Sequence, residues 1–351
     1  MKTHVISVLA GDGIGPEVMP VAQAVLDSAC EGSDVELRWE ERPWGTDYFR
    51  SHGRMMPLNA IDKMADTDAI FLGAVGHPEV PDAETLWGML IPIRREFDQY
   101  INLRPIKSLP GVRSPLANHE GIDLVIVREN VEGEYSAVGG RSGVGTEYAA
   151  AYQQAIFTKH GVSRAVSFAA ELASERNGDL VSATKSNGIV HTMTFWDEVV
   201  AEVAGGFPEV RLTPMLIDAL SARLVQSPQS FDVIVASNLF GDILSDIAAA
   251  TVGSIGIAPS ANLNPEKRHP SMFEPVHGSA PDIVGRGIAN PVGQIWAGAM
   301  MLDHLGHPDL AVDVELALRS VLSSGLSTPD LGGQATTVQV GDAIVAALAG
   351  K

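Results

Sequence analysis

Two aspartates one helical turn apart are the first residues in this sequence that could do chemistry. Asp242 and Asp246 lie in "NLFGDILSDIAAA" (238–250) and project from one face of a predicted helix. Asp218, in "PMLIDAL", lies at another predicted strand-to-helix junction. Carboxylates without neighbouring cysteine or histidine suit a hard divalent cation, Mg²⁺ or Mn²⁺, better than zinc. The alternative to metal binding is that one aspartate caps the helix and the other is exposed to solvent. The two aspartates alone do not favour either interpretation.

Three arginines and a tyrosine form a second candidate group. Arg94 and Arg104 lie in "IRREFDQYINLRP", and Arg128 ends an apolar run, seven residues before Tyr135. Proteins of the α/β class bind ligands beyond the carboxyl ends of their strands, where Arg128 is expected to lie. Guanidinium groups bind carboxylates through paired hydrogen bonds, which makes these arginines candidates for an anionic substrate. Ordinary salt bridges in an acidic chain would explain each arginine singly.

A lysine and a long loop complete the candidates. Lys185 ends the strand-like "LVSATK", where a surface charge is the usual interpretation. Beside carboxylates its pKa can shift, and the amine can then transfer protons. The segment "FEPVHGSAPDIVGRGIANP" (273–291) is rich in glycine and proline and precedes a predicted helix. A plain connector is the alternative, but the length of this loop favours a function.

The segment "AGDGIGPEV" (10–18) resembles a dinucleotide-binding loop only superficially. The fingerprint requires Gly-x-Gly-x-x-Gly, and Pro16 occupies the third glycine position of that spacing. The glycines allow a sharp turn and close approach of the backbone to a ligand. A tight strand-to-helix turn is the favoured interpretation of these residues alone.

Alternating strand and helix patterns predict an α/β fold with helices on both sides of a sheet. Strands are predicted at 4–10, 68–76, 122–130 and 231–240. Helices are predicted from Pro16 to Cys30 and at 84–97, 162–176, 191–204, 241–251, 291–305, 311–323 and 335–349. The segment 132–161 is rich in glycine and then strand-like, which indicates a surface hairpin or an arm reaching a partner chain.

The composition excludes some classes of binding partner and indicates the cellular compartment. The 351 residues carry a net charge of −19, which argues against nucleic acid and anionic membrane, since both reward clustered Lys and Arg. Hydrophobic residues make up 45% of the chain, enough for a large core. The single cysteine, Cys30, fits a reducing compartment, and the N-terminus has no secretory pattern. We therefore expect a cytoplasmic protein with no membrane span.

The motifs in this order resemble those of the β-decarboxylating dehydrogenases, which include isocitrate, isopropylmalate, D-malate and tartrate dehydrogenases. The resemblance covers nearly the whole chain. It rests on "GDGIGPEV", "NLRP", "VIVREN", "EGEY", "TKSNG", "SNLFGDILSD", "FEPVHGSAPDI" and "TPDLGG". Each motif is weak alone, and together they are highly specific.

The resemblance implies a two-domain, isopropylmalate dehydrogenase-like fold that is not a Rossmann fold. The large, discontinuous, cofactor-binding domain would join 1–98 and 251–351. The small central domain, 99–250, would form the homodimer interface and hold the metal site. Each active site would be shared between two subunits.

The resemblance also assigns roles to residues. Arg94, Arg104 and Arg128 would bind the malate part of the substrate. Asp242 and Asp246, with Asp218 of the other subunit, would hold Mg²⁺ or Mn²⁺, and a monovalent cation is a further candidate cofactor. Lys185 of the other subunit, together with Asp218, and Tyr135 would transfer protons. Cofactor binding would fall to Glu274, His277, Gly278, Ser279, Ala280, Asp282, Asn290 and Asn187.

Cofactor and substrate preference follow from a few positions. Asp282 can accept hydrogen bonds from ribose hydroxyls and would repel a 2′-phosphate, which predicts NAD. In the predicted helix before Arg94, Trp87 stands where isopropylmalate enzymes carry Glu, and Leu90 is apolar as in those enzymes. This pattern resembles the tartrate and D-malate enzymes most and predicts a C4 2-hydroxy diacid, although Trp87 could simply pack under the helix. The alternatives are 3-isopropylmalate dehydrogenase and a metal-dependent lyase without a redox step.

Overall fold

The computed structural model of the protein describes residues 1–350, and strands and helices alternate through most of it. The strands are β1 (Lys2–Gly11), β2 (Val35–Glu41), β3 (Ala69–Ala74), β4 (Ile101–Lys107), β5 (Asp123–Glu129), β6 (Gly139–Ser142), β7 (Ala150–Gln153), β8 (Asp179–Thr184), β9 (Arg211–Leu216), β10 (Val233–Ala236), β11 (Pro259–Leu263) and β12 (Ser271–Pro275).

The helices complete the alternation. The α-helices are α1 (Gly15–Cys30), α2 (Thr46–His52), α3 (Ala60–Ala65), α4 (Asp82–Thr85), α5 (Ile91–Glu96), α6 (Lys159–Glu175), α7 (Thr192–Ala204), α8 (Ile217–Gln226), α9 (Asn238–Thr251), α10 (Val292–His304), α11 (Pro308–Ser323) and α12 (Thr337–Ala349). A π-helical turn (Leu86–Leu90) joins α4 to α5, and short 3₁₀ turns lie at Pro228–Ser230, Ile255–Ile257 and Pro329–Leu331. No helix within residues 1–350 is long and apolar enough to cross a membrane.

The α/β prediction is confirmed, and two predicted elements differ in detail. The strand predicted at 231–240 covers only Val233–Ala236, because α9 already begins at Asn238. The Ser237 carbonyl accepts the amide of Gly241 at 2.8 Å, so helical hydrogen bonding starts where the apolar run still continues. The helix predicted at 84–97 is present but contains the π-turn, which the apolar spacing did not reveal.

The chain divides into two compact units. Unit 1 comprises residues 1–99, 107–119 and the chain from Ala249 onward, and unit 2 comprises 100–106 and 120–248. The segment 107–119 therefore lies within the sequence range of the predicted central domain but belongs to unit 1. The assignment of cofactor, dimer interface and metal to the predicted domains stays a prediction.

Unit 1 contains strands in the order β2-β1-β3-β12-β11. Strand β1 runs parallel to β2 and β3, β12 runs parallel to β3, and β11 and β12 are antiparallel. Helix α1 packs against α10 and α12. Strand β3 is buried along its whole length, as its continuous apolar sequence indicates for a strand covered on both faces.

Unit 2 contains strands in the order β4-β5-β10-β8-β9, and β5, β10, β8 and β9 run parallel to one another. Helix α6 packs on β5, β8 and β10, and α7 packs on β8. Strands β6 and β7 form a separate antiparallel hairpin whose residues are all exposed. The sequence-based expectation of a hairpin in 132–161 is confirmed.

The glycine-rich loop after β1 is a tight turn into α1, as predicted from the sequence. Gly11 has φ +72°, and a Cβ there would lie 1.9 Å from the Ala74 carbonyl oxygen, so only glycine fits. Asp12 is buried and accepts hydrogen bonds from the Thr46 amide (2.7 Å), the Thr46 hydroxyl (2.9 Å) and the Gly76 amide (2.8 Å). One carboxylate thus joins the loop after β1 to two other backbone segments of unit 1.

Replacement of this carboxylate tests its structural role. We expect Asp12→Ala to lower the free energy of unfolding by about 2–4 kcal/mol, because buried donors lose a charged acceptor. Denaturant unfolding followed by circular dichroism measures the change. Asp12→Asn, which keeps one acceptor oxygen, should lose less, and equal stability of all three proteins would contradict the role.

Candidate functional site

Arg128 and Asp242 meet in unit 2 at the carboxyl end of β5. The Arg128 Nη1 donates a short hydrogen bond to Asp242, while Nε (3.0 Å) and Nη2 (2.7 Å) both donate to the side-chain oxygen of Asn238. Helix α9 can approach this closely because Gly241 has no side chain, and a Cβ there would lie 2.6 Å from the Arg128 Cβ. The turn from β10 into α9 therefore sets the direction of the guanidinium.

Arg104 lies between the two candidate metal ligands. Its Nη1 is 3.3 Å from Asp242 Oδ1 and 3.6 Å from Asp246 Oδ1, and it donates to the Ser245 hydroxyl at 2.5 Å. Asp246 is half exposed and Asp242 is about one third exposed. Partial burial, and then the Asp242 carboxylate, raise the pKa of Asp246, whereas Arg104 opposes the shift. Arg104 and Arg128 therefore both contact the Asp242 carboxylate.

Tyr135 completes this group of unit 2. Its hydroxyl donates to Asp242 Oδ2 at 3.3 Å, and the Arg128 guanidinium carbon lies 5.7 Å from the ring centre. The phenol is partly buried. Two guanidinium groups, one phenol and two carboxylates thus form a single polar cluster, which we call the Asp242 cluster.

Lys185 and Asp218 are close together on the surface of unit 2. The Lys185 Nζ is 2.9 Å from Asp218 Oδ1, and the two side chains are 30% and 65% exposed. The hydrogen bond from Lys185 lowers the pKa of Asp218, which therefore stays a carboxylate at neutral pH. Asn187 lies two residues further along in an exposed turn.

The acidic residues predicted to bind metal do not all come together within the part of the chain that the structure describes. Within residues 1–350, no three His, Cys, Asp or Glu side chains are grouped so as to hold a metal ion. Asp218 is therefore not joined to Asp242 and Asp246 in one chain. Its contribution from a second subunit stays a prediction.

Arg94, the third predicted substrate arginine, is buried in unit 1. Its Nη2 donates to Glu274 Oε1 at 2.9 Å, and the same oxygen accepts from the Asn262 side chain at 2.7 Å. The Arg94 Nε is buried without an acceptor, and the same is true of Arg104 Nε in unit 2. Unsatisfied buried donors are costly, and an anionic ligand would satisfy them.

The segment before Arg94 has an unusual backbone. Trp87 lies in the π-turn, partly buried, with the Arg95 guanidinium carbon 5.2 Å from its ring centre. Leu90 ends the turn and packs against the buried core of unit 1. π-turns inside helices occur frequently at functional sites.

The loop from Glu274 to Asn290 lies entirely in unit 1. His277 donates from Nδ1 to the Gly278 carbonyl at 3.0 Å, since that oxygen can only accept, and its Nε2 is buried without a partner. Burial lowers the pKa of His277, so the ring is neutral and Nε2 remains an acceptor. Ala280 has φ +44°, a conformation that costs energy and occurs often at ligand-binding sites.

A cavity adjoins this loop. Its volume is about 490 Å³, and residues of the segment Val75–Asp82 line it together with Gly278, Ser279 and Pro281. At the end of the loop, Asn290 donates to Asp330 at 2.9 Å, which ties it to "TPDLGG". Asp282 is exposed and able to contact a ligand.

The residues that orient the arginines were not among the sequence-based candidates. Asn238 and Ser245 hold Arg128 and Arg104 through hydrogen bonds, but neither residue has a distinctive spacing in the sequence. Glu129 was also missed: it is fully buried beside Arg128 and accepts the amides of Val131 and Glu132. Its only sequence signal is a charge at the end of an apolar strand.

Comparison with known proteins assigns the chain to a class. A family model described as isocitrate/isopropylmalate dehydrogenase matches residues 5–344. The crystal structure of isocitrate dehydrogenase from Methylococcus capsulatus superposes with a TM-score of 0.89 at 34% identity, covering 98% of this chain and 99% of that one. The chain therefore belongs to the isocitrate/isopropylmalate dehydrogenase family, and the predicted fold is confirmed. By family it is an oxidoreductase.

Two relatives are more similar in sequence. The D-malate dehydrogenase [decarboxylating] of Escherichia coli strain K12 is 52% identical, over 98% of this chain and 98% of that protein. The "Probable tartrate dehydrogenase/decarboxylase" of Bacillus subtilis strain 168 is 49% identical, over 99% of each chain. The resemblance inferred from the motifs is thus confirmed.

Glu129 predicts a specific pH dependence of stability. Burial raises its pKa from 4.5 to about 7. Because the folded state holds this proton more tightly than the unfolded state, the stabilising contribution is complete below pH 4.5 and disappears as the pH rises through 7.

We expect Glu129→Gln to be more stable than the wild type at pH 8, by a few kcal/mol, and about equally stable near pH 4.5. Denaturant unfolding at intervals between these pH values measures the difference. Parallel pH profiles for the two proteins would show that Glu129 does not titrate in this range.

Proposed function

We propose that the protein catalyses the NAD-dependent oxidative decarboxylation of a C4 2-hydroxy diacid, D-malate or tartrate, assisted by Mg²⁺ or Mn²⁺. The observation that carries this proposal is the Asp242 cluster, in which arginines suited to carboxylates surround a pair of acidic oxygen donors. The similarity to proteins named D-malate and tartrate dehydrogenases supports the choice of diacid.

Substrate binding is proposed to use the arginines. Arg104 and Arg128 would turn their guanidinium groups to the substrate carboxylates, and Arg94 would contribute a third positive charge. The buried, acceptor-free Nε atoms of Arg94 and Arg104 support this role. Trp87 and Leu90 would provide the apolar wall that selects a short diacid.

The cation would be held by Asp242 and Asp246, with Asp218 of the partner subunit as the third ligand. All-oxygen donors fit a hard divalent ion. When bound, such an ion stabilises negative charge on the substrate oxygens during oxidation and loss of CO₂. Its charge would also replace the arginines as partners of the two carboxylates.

NAD is proposed to bind along the 274–290 loop. The acceptor His277 Nε2 and the neighbouring cavity fit a ligand with donor groups, such as the adenosine half of the cofactor. Asp282 would accept from the ribose hydroxyls and disfavour a 2′-phosphate. Asn187 would lie at the nicotinamide end, where hydride is accepted from C2 of the substrate.

Proton transfers are proposed to use two groups of this chain. The Lys185–Asp218 pair would take the proton from the C2 hydroxyl as hydride leaves C2, which yields the 2-keto acid. Breaking the bond between C3 and the departing carboxylate then gives CO₂ and an enol(ate). Tyr135 would donate a proton to C3 of this species, so that atoms and charge balance.

A homodimer with shared sites is proposed to bring these groups together. Lys185 and Asp218 are surface residues of unit 2. Exposed apolar side chains lie in the 138–156 segment, which contains the β6–β7 hairpin, and just after Asn187. They are Val138, Val144, Tyr148, Tyr152, Ile156, Ile189 and Val190. Burial of such side chains against a second copy would stabilise the dimer.

An assay of NAD reduction with a substrate panel tests the proposal. The panel comprises D-malate, L-malate, the tartrate stereoisomers, isocitrate and 3-isopropylmalate, with Mn²⁺ and with chelator. We expect NADH formation with D-malate or a tartrate, and a loss of at least about 100-fold when the metal is removed.

The controls separate the alternatives. Preference for 3-isopropylmalate would identify the alternative dehydrogenase, and product formation without NADH would indicate a lyase. Trp87→Glu should shift preference away from C4 diacids, with Trp87→Phe as the matched conservative variant. Full turnover without metal would refute the metal-assisted mechanism.

Mixing inactive variants tests whether the sites are shared. We expect Lys185→Ala and Asp242→Asn each to be inactive, and co-expression to restore about a quarter of wild-type activity, because half of the dimers are mixed and each has one intact site. The matched control mixes Lys185→Ala with Asp218→Asn, which damage the same half-site and should restore nothing. Equal outcomes in both mixtures would contradict shared sites.

A further inference from the structure

The glycine-rich loop and α1 hold one side of the 279–289 segment. The Ile14 amide donates to the Ser279 carbonyl at 3.0 Å, and a Cβ at Gly13 would lie 2.0 Å from that oxygen. Apolar contacts extend this attachment through Ile14, Val18 and Ala289, with Ala280 and Ile283 packed against them. The motif at 10–18 therefore binds another part of the chain.

Glu17 forms the charged part of this attachment. Its Oε1 accepts the amide of Gly285 at 2.5 Å, and its Oε2 accepts the amide of Gly287 at 3.1 Å. Both glycines have positive φ, +75° and +63°, which turns their amides towards one carboxylate. Since Glu17 lies in the first turn of α1, the helix dipole also favours its negative charge.

The 279–289 segment has no regular secondary structure to stabilise its conformation. Between β12, which ends at Pro275, and α10, which begins at Val292, the chain forms no helix or strand. Thr337 holds the far end, with its amide donating to Gly287 O (2.9 Å) and its hydroxyl to Ala289 O (2.7 Å). The exposed part around Gly285 depends on Glu17 for a charged acceptor.

We propose that Glu17 is a positioning residue for the dinucleotide, acting through the backbone at Gly285 and Gly287. This inference rests on the proposed binding of NAD along the 274–290 loop. Glu17 fixes the turn that follows Asp282, and thereby the direction in which Asp282 and the strained Ala280 face the cofactor. The glycine-rich motif thus serves the cofactor indirectly, as a support for the loop.

Substitution of Glu17 tests the inference through kinetics and amide exchange. Glu17→Ala should raise KM for NAD roughly tenfold, with kcat at saturating NAD and KM for the diacid changed less than about twofold, because charged hydrogen bonds to the loop are lost. Hydrogen exchange of the ligand-free protein should accelerate in 279–290. Glu17→Gln, which keeps one acceptor oxygen, should give an intermediate KM.

Glu31→Gln, at the other end of α1, is the matched control and should behave as the wild type. Unchanged KM for NAD in Glu17→Ala, or an equal loss of kcat and diacid affinity, would overturn the inference. Absence of NAD reduction by the wild type would instead refute the proposed function. In that case, calorimetric titration with NAD still tests the role of Glu17. Weaker NAD binding by Glu17→Ala than by the wild type, together with faster hydrogen exchange in 279–290, supports the inference. Equal NAD binding by the two proteins overturns it.

Discussion

Compensation of charge between Arg128 and Asp242 is the interaction on which the organisation of unit 2 depends. A nearly buried guanidinium needs acceptors on every side, and Asn238 and Asp242 supply them from the first turns of α9. Arg104, Ser245, Asp246 and Tyr135 are then arranged around the same carboxylate. Without the glycine at 241, the helix could not approach the strand end, and this charge balance would be lost.

Unit 1 also contains a buried pair of an arginine and a carboxylate, but there the two residues belong to different predicted sites. Glu274, expected to belong to the cofactor loop, is the acceptor for Arg94, expected to bind substrate. A buried ion pair contributes little net stability, but either charge without its partner would be strongly unfavourable. The pair therefore keeps Arg94 oriented in unit 1 while its Nε has no acceptor, which suits a residue that binds an anionic ligand.

The sequence allowed much of this arrangement to be predicted, because strand ends and helix starts carry local signals. Continuous apolar runs located β3 and β5, and the spacing of Asp242 and Asp246 indicated one helical face. Other features depend on tertiary contacts that leave no periodic signal: the burial of Glu129, the support of Arg128 by Asn238, and the attachment of Gly285 to Glu17. The separation of Asp218 from the other aspartates could not follow from any local pattern, since it depends on how distant segments fold.

The π-turn at Leu86–Leu90 adds backbone length to the segment before Arg94. Such a turn accommodates one residue more than an α-helical turn. Loss of a single residue there would restore a regular α-helical turn, and the residues that follow, Arg94 among them, would keep their present direction. Deletion at this position would therefore change the spacing around Trp87 and Leu90 and leave Arg94 directed towards Glu274.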